Sequence, residues 1–300
     1  MNIRLSHAQA LGLMVLATLL WSIAGVVSRQ ITQAQGFEVT FWRSFFNALS
    51  LVMGLTMATR AKVWRVNAFR SRTLWLSGLC WSVMFTAFML ALTMTTVANV
   101  LITLSLGPLL TALLHRLLGG QALSRQTWGA IALAAVGIGY MFVSQIQLDG
   151  GQHLKGMLVA ACVPVAGSVQ WNLMKTRQPD VAQTNMLLAI LIGAVLSCVF
   201  TAPMALPFQA NAQVMQWLAL LGVFQLAVPC SLAVWSSQVL KPHEVALLAL
   251  LEVLFGISWA WWGAGEAPAD AVLMGGSLVL IALAGSEYAS WRQRNESITY

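Results

Sequence analysis

The chain has 300 residues, of which 59% are hydrophobic and only 8% are charged. Water-soluble domains carry roughly a quarter of charged residues, so this composition excludes an ordinary soluble protein and predicts a membrane protein. The formal net charge of +7 would favour nucleic-acid binding in a soluble protein. In a membrane protein, the basic residues first have to be assigned to one side of the bilayer or the other.

Apolar segments long enough to cross a bilayer, about 20 residues each, follow one another with little chain between them. The first begins after Arg4, and a cleaved signal peptide is the competing interpretation, although the apolar run is longer than a typical signal sequence. Only the uncharged stretch from Thr93 to Asn99 separates the third from the fourth. The sequence predicts ten spans, at residues 8–28, 38–58, 74–94, 98–118, 127–146, 154–174, 184–205, 216–237, 244–264 and 271–290.

The sixteen basic residues are distributed unequally between the two sides of these spans. If the N-terminus is cytoplasmic, the cytoplasmic segments hold thirteen of them, the outer segments hold only Arg29 and Lys155, and Arg43 lies within a span. This bias fixes the orientation by the positive-inside rule. We therefore expect both termini in the cytoplasm and no nucleic-acid partner.

Two stretches of the chain, 106–140 and 251–285, share one plan at an offset of about 145 residues. Each has an apolar helix, a Gly-rich turn followed by Gln121 or Glu266, a short polar link and a Gly-containing apolar helix. The offset places five spans in each half, and an odd number of crossings turns the second copy upside down. Inverted repeats of this kind serve alternating access around a midplane site; a duplication kept only for folding is the alternative.

Four features carry a resemblance to a known family. They are the Trp21 and Ser22 pair late in the first span, Arg43 early in the second, Pro108 in the fourth, and the sequence LLEVLFGISWAWWGAGE that closes the ninth. With them the chain resembles the EamA modules of the drug/metabolite transporter superfamily, two modules end to end, and more narrowly the YddG-type bacterial amino-acid exporters. It departs from the family's Leu-Glu-Pro pattern, because Val253 follows Glu252. A kink is therefore expected at Pro108, whereas one at Val253 is in question.

The resemblance implies an all-α membrane protein of ten transmembrane helices, arranged as two inverted five-helix repeats in a bacterial-type cytoplasmic (inner) membrane. Residues 1–147 would form the first EamA-like repeat, 148–291 the second and 292–300 a cytoplasmic tail. The first, third, fourth, sixth, eighth and ninth helices would bound a central cavity, with the fifth and tenth outside it. The small residues of those two helices are read as packing surfaces, with a homodimer as one candidate use: Gly129, Gly137, Gly139, Gly275, Gly276 and Gly285.

Polar residues within the apolar spans align on helix faces at i, i+3, i+4 and i+7 spacing. Ser and Thr satisfy their hydroxyls on their own helix backbone, so a structural role stays open for each of them. Asn and Gln need a partner on another helix or in a cavity, and Trp21 and Trp171 lie deep enough to form an aromatic wall. The predicted substrate-binding residues are Trp21, Ser22, Thr86, Asn99, Thr103, Gln170, Trp171, Gln225, Glu252 and Trp259.

Two charged residues lie inside predicted spans. Glu252 sits near mid-depth, where an ionised carboxylate costs roughly 2.5 to 3.5 kcal/mol, so it should face the interior and be protonated or have a partner. It could contact a substrate amino group, act as a proton site or pair structurally with another helix. For Arg43, a long stem that reaches outward to the headgroups is favoured over a carboxylate-binding role.

We expect an exporter of amino acids or similar small metabolites that works by alternating access, because hydroxyl, amide and aromatic linings suit zwitterions. Exporting drug-like cations is the alternative function, and proton exchange and facilitated diffusion both stay open. An intramembrane enzyme is disfavoured, since only His115 lies in or at the edge of a span and no nucleophile and base converge. The expected partners are the small-molecule substrate and the lipid bilayer.

No cofactor or metal is predicted. The four cysteines Cys80, Cys162, Cys198 and Cys230 fall inside predicted spans without Cys-x-x-Cys spacing, so they are read as small core residues. Nothing in the chain resembles a phosphate-binding glycine loop on a soluble domain, and so no nucleotide-driven motor is evident.

Overall fold

The structure, a computed structural model, describes residues 5–31, 36–59, 64, 69, 71–118, 125–149, 152–175, 183–240 and 242–296. Within these ranges the regular structure is helical, with no strand. The helices are α1 (His7–Ser22), α2 (Ala24–Ser28), α3 (Gly36–Thr59), α4 (Arg72–Met94), α5 (Val97–Leu104), α6 (Gly107–Leu117), α7 (Arg125–Asp149), α8 (Gln152–Lys175), α9 (Gln183–Ala205), α10 (Ala212–Leu220), α11 (Val228–Ser236), α12 (Pro242–Ala264) and α13 (Asp270–Glu296), with a π-helical segment at Leu221–Ala227.

Polar side chains define where several of these helices begin. Ser6 and Gln9 form a capping box at α1, in which each side chain binds the backbone N–H of the other residue. The side chain of Ser71 caps α4 and that of Thr96 caps α5, and each accepts a hydrogen bond from the backbone N–H three residues further on. These caps satisfy N–H groups that have no partner within the helix.

Three of the long helical rods are interrupted, one of them by the π-helical segment at Leu221–Ala227. Ile23 separates α1 from α2, and Ser105 and Leu106 separate α5 from α6, where Pro108 stands in the first turn of α6. Proline is tolerated there because its missing N–H would have no helical partner. The kink expected at Pro108 is thus present as a break, while Pro164 lies inside the continuous helix α8.

Joined across these interruptions, the helices of the described residues form ten rods in chain order. Six of them are long and apolar enough to cross a membrane: His7–Ser28, Arg72–Met94, Val97–Leu117, Arg125–Ser144, Met186–Ala205 and Ala212–Ser236. Asp270–Gly285 is a shorter apolar helix. The protein is therefore a multi-pass helical membrane protein, and ten crossings stay a prediction.

The helix contacts recur in the two halves of the chain. Helix α3 packs on α9 and α7 packs on α13, and in each pair the partners occupy corresponding positions in the two halves. Helix α1 packs on α12, and its counterpart α8 packs on α5 and α6. Likewise α1 contacts α11, and α8 contacts α4. The contacts thus occur in pairs related by exchange of the halves.

Glycines allow the backbones of α7 and α13 to approach closely. A Cβ atom on Gly137 would lie 2.5 Å from the carbonyl oxygen of Gly275, and a Cβ atom on Gly275 would lie 2.5 Å from that of Gly137. Gly276 packs in the same way against Ile102. Half of the small residues predicted to form packing surfaces therefore pack within the chain, whereas Gly129, Gly139 and Gly285 face open space.

We predict that Gly137→Ala lowers the melting temperature of the purified protein in detergent, because a methyl group cannot fit against a backbone carbonyl without moving one helix. Overpacking of this kind costs about 1–3 kcal/mol. The matched control is Gly139→Ala on the same helix, whose Cβ atom would meet nothing within 4 Å, and it should leave the melting temperature unchanged or raised. Equal effects of the two substitutions would contradict this packing.

Candidate functional site

A buried arginine and a buried glutamine form the centre of the candidate site. Oε1 of Gln225 accepts hydrogen bonds from Nε and Nη2 of Arg43 at 3.0 and 2.9 Å. Nε2 of Gln225 donates to the carbonyl oxygen of Trp21 at 3.3 Å. Both side chains are 1% exposed. One amide therefore joins the guanidinium on α3 to the backbone of α1.

The prediction that Arg43 reaches outward to the headgroups is wrong. Its Nη1 donates to the carbonyl oxygen of Phe85 at 3.3 Å, and its Cζ lies 5.5 Å from the ring centroid of Phe88. The side chain points inward because the Gln225 amide, the Phe85 carbonyl and the Phe88 ring replace the hydration of the guanidinium. Sequence spacing did not show that these groups, on α4 and the π-helical segment, lie opposite Arg43.

The π-helical segment brings Gln225 to this position. A Cβ atom on Gly222 would lie 2.5 Å from Cβ of Phe46 and 2.7 Å from the carbonyl oxygen of Arg43, so this turn lies directly against α3. Pro229 follows in the first turn of α11. π-Helical turns occur frequently at functional sites. A glycine three residues before Gln225 and a proline four residues after it are the sequence signal for this feature.

Glu252 lies at the edge of the same cluster. It is half-buried on α12 and interacts electrostatically with Arg43. One turn further on, the Cα of Gly256 faces the Leu101 side chain and the carbonyl oxygen of Ser22. Helix α12 is thus held against α1 and α5 beside the carboxylate. The expectation that Glu252 faces other helices is met on this side of α12.

Trp21 completes this group of predicted residues. Besides its carbonyl contact with Gln225, its side chain lies close to the thiol of Cys230. The structure therefore brings together three of the predicted site residues, Trp21, Gln225 and Glu252, around Arg43.

A second buried polar group lies on α5. Nδ2 of Asn99 donates to Oγ1 of Thr95 at 3.0 Å, and Oγ1 of Thr103 donates to the carbonyl oxygen of Asn99 at 2.7 Å. Oδ1 of Asn99 is buried without a hydrogen-bond partner, and so is Oε1 of Gln170 on α8. Asn47, one turn beyond Arg43 on α3, is fully buried with neither amide atom paired.

The remaining predicted residues are placed differently. The hydroxyl of Ser22 donates to the carbonyl of Leu19 on its own helix. The hydroxyl of Thr86 forms a hydrogen bond of 2.8 Å with that of Ser197, which also forms one of 2.9 Å with the hydroxyl of Ser44. Thr86 thus links α4, α9 and α3 instead of joining the Arg43 group. Trp259 is 40% exposed on the surface, and the side chain of Trp171 lies outside the described residues.

Sequence reasoning missed a second charged cluster, at the ends of the helices that are predicted to face outward. Nε of Arg29 donates to Oε2 of Glu266 at 2.7 Å. Nη1 and Nη2 of Arg29 donate to the carbonyl oxygens of Leu92 and Thr95 at 2.7 and 2.8 Å. Oε1 of Glu266 accepts the backbone N–H of Val97, the first residue of α5. We call Arg29, Glu266 and these backbone groups the outer clamp.

The outer clamp ties three parts of the chain together: the end of α2, the turn between α4 and α5, and the link between α12 and α13. Gly265 has a φ of 67°, which lets the chain turn so that Glu266 points back at α5. A carboxylate also suits the positive end of a helix dipole. Its counterpart in the repeat, Gln121, lies outside the described residues.

Glu38 makes a similar connection nearby in the predicted topology. It is buried in the first turn of α3, and its Oε1 accepts the backbone N–H groups of Gln209 and Ala210 at 2.9 and 2.8 Å. The carboxylate therefore fixes the link between α9 and α10 to the start of α3.

These features define the class of the protein: a multi-pass helical membrane protein with charged and amide groups buried between its helices. Residues 9–143 match the model of the EamA-like transporter family. That match supports the resemblance found in the sequence over the first half of the chain, and it favours a membrane transporter of small solutes over an enzyme.

The fold also resembles known structures. Fifteen solved chains match, among them a crystal structure described only as that of a protein, at 18% identity and a TM-score of 0.66. The match covers 96% of this chain and 99% of that one, so the fold extends over both halves. No curated protein matches the chain.

We predict that Glu266→Gln lowers the melting temperature in detergent, by roughly 2–8 °C, because it removes the ion pair with Arg29. The double variant Arg29→Gln/Glu266→Gln should lower the melting temperature by less than the sum of the Arg29→Gln and Glu266→Gln single variants, since both single changes remove the shared ion pair. Lys155→Gln, which changes an exposed base, is the control. Additive shifts of the two single variants would show that the clamp residues do not act together.

Proposed function

We propose that this protein exports amino acids or similar small metabolites across a bacterial-type cytoplasmic membrane by alternating access around a central site. The observation that carries the proposal is the Arg43, Gln225 and Glu252 cluster inside a chain whose first half matches a transporter family. Charged and amide groups within membrane spans mark substrate or ion pathways. The YddG-type subfamily is the narrower assignment that we propose.

Two features of the fold support alternating access as the mechanism. Helix contacts occur in pairs related by exchange of the two halves, as expected if five-helix repeats lean against each other in two arrangements. The outer clamp joins elements of both halves at one end of the bundle. In the proposed mechanism, the outer clamp breaks when that end of the bundle opens.

We propose that the ten predicted residues contribute unequally to substrate binding. Trp21, Gln225 and Glu252 form the centre of the site, since they meet around Arg43. Asn99 and Gln170 form a second polar wall, in which their unpaired amide oxygens on α5 and α8 are available to a ligand. The hydroxyls of Ser22, Thr86 and Thr103 are already paired, so they support the helices first.

A drug-like cation is the second candidate substrate. The observation that favours it is the half-buried carboxylate of Glu252, which has no hydrogen-bond donor within the described part of the chain. A cation would contact Glu252 but would be repelled by the neighbouring guanidinium of Arg43. The zwitterion fits both charges, so amino acids are preferred.

Transport in liposomes tests the proposed function. We expect the purified protein to exchange labelled amino acids saturably, and a panel that includes cationic dyes, with and without an imposed pH difference, will identify substrate and coupling. We expect Glu252→Gln to lower the maximal rate at least about tenfold, the effect of losing 1.4 kcal/mol. Ser258→Ala on the same helix, whose hydroxyl binds its own helix backbone, is the control. Full activity of Glu252→Gln would remove Glu252 from the site, and no saturable movement of any compound would refute the function.

The predicted orientation can be tested separately. Because thirteen basic residues lie on one predicted side, tags inserted near residues 65 and 295 should both be reached only from the cytoplasm. Impermeant labelling of intact cells and of inverted vesicles measures this. Tags on opposite faces would exclude two five-crossing halves.

A further inference from the structure

The guanidinium of Arg43 has hydrogen-bonding capacity that the protein leaves unused. A guanidinium carries five N–H groups. Three of them bind Gln225 and the carbonyl of Phe85. The other two, one on each terminal nitrogen, have no protein acceptor within the described residues.

The positive charge of Arg43 is also without an ion-pair partner. No carboxylate of the described part of the chain lies within 4.0 Å of the guanidinium. Glu252 influences it electrostatically from beyond that distance. A buried charge without a counter-charge destabilises the fold by several kcal/mol, so the site is suited to an anion that comes from outside the chain.

The neighbouring side chains hold Arg43 in place and leave polar groups for a ligand. Gln225 fixes one edge of the guanidinium through two hydrogen bonds, and the Phe88 ring lies against it. Asn47 is fully buried on the same helix, four residues further along, and its amide nitrogen and oxygen are both unpaired. An unpaired buried amide costs about 1–3 kcal/mol unless something binds it.

We propose that Arg43, with Asn47 beside it, is the subsite that binds the carboxylate of the transported solute, and that Gln225 positions its guanidinium. The paired N–H groups of a guanidinium match the two oxygens of a carboxylate. Glu252 then faces the opposite pole, an ammonium group. This inference rests on the proposed transport function and defines its substrate class: solutes that carry a carboxylate and an ammonium together.

Competition in proteoliposomes tests the subsite. Uptake of the best labelled amino acid of the panel is measured against the unlabelled compound, its methyl ester and its decarboxylated amine. In the wild-type protein the amino acid should compete about 10 to 100 times better than either analogue, the range expected for losing a charge-assisted hydrogen bond. Arg43→Gln should raise the KM for the amino acid by a similar factor and make the three compounds nearly equal. A purely structural role of Arg43 would not remove this discrimination.

Three further measurements keep the outcomes distinct. Ser50→Ala changes a hydroxyl on the same helix that is bonded to the helix backbone, and this variant should keep the discrimination. Arg43→Lys keeps the positive charge but loses the paired N–H groups of the guanidinium. Its discrimination between the amino acid and the two analogues should lie between those of the wild type and Arg43→Gln. If Arg43→Gln does not fold, the competition assay with the wild-type protein and with Arg43→Lys tests the subsite. Equal competition by the amino acid and its methyl ester in the wild-type protein overturns the subsite while transport stands. Movement of cationic dyes without any amino acid overturns the proposed function itself.

Discussion

In a membrane interior, a guanidinium keeps its charge, and the protein around it must provide the hydrogen bonds that water would otherwise supply. In this chain the Gln225 amide, the Phe85 carbonyl and the Phe88 ring do so for Arg43. Meeting that requirement fixes the spacing of α3, α4 and the π-helical segment, and the carbonyl of Trp21 extends it to α1. The candidate site is therefore also one of the places where helices of the two halves are joined.

The charged residues of the bundle form two sets, which differ in their position along the helices. Arg43 and Glu252 lie within the spans, while Arg29, Glu266 and Glu38 lie at helix ends, where each binds backbone groups of a distant segment. Backbone N–H and carbonyl groups at helix ends have no partner in their own helix, so a charged side chain satisfies them well. One set connects distant segments at the ends of helices, and the other lies inside the bundle, where we propose the transport site.

Residue periodicity and composition were sufficient for the coarse architecture, because they depend on the bilayer rather than on particular contacts. A helical multi-pass protein follows from apolar run lengths, and the break near Pro108 follows from proline chemistry. The inward direction of Arg43 could not be predicted, since it depends on a Gln that is 182 residues away in the chain. Thr86 illustrates the same limit: its face was polar as expected, but only the fold shows that Ser197 already occupies it. The outer clamp was missed because three of its four hydrogen bonds involve a backbone carbonyl or N–H group, and backbone groups leave no trace in side-chain patterns.

The separation of the clamp residues along the chain has a consequence for biogenesis. Arg29 and Glu266 are 237 residues apart, and ribosomes add about 5–20 residues per second, so Arg29 waits on the order of tens of seconds for its carboxylate. During that interval the backbone carbonyls of Leu92 and Thr95 are the earlier partners of the guanidinium to be made. The ion pair thus forms as a late step of assembly, once the chain has been made as far as the link between α12 and α13.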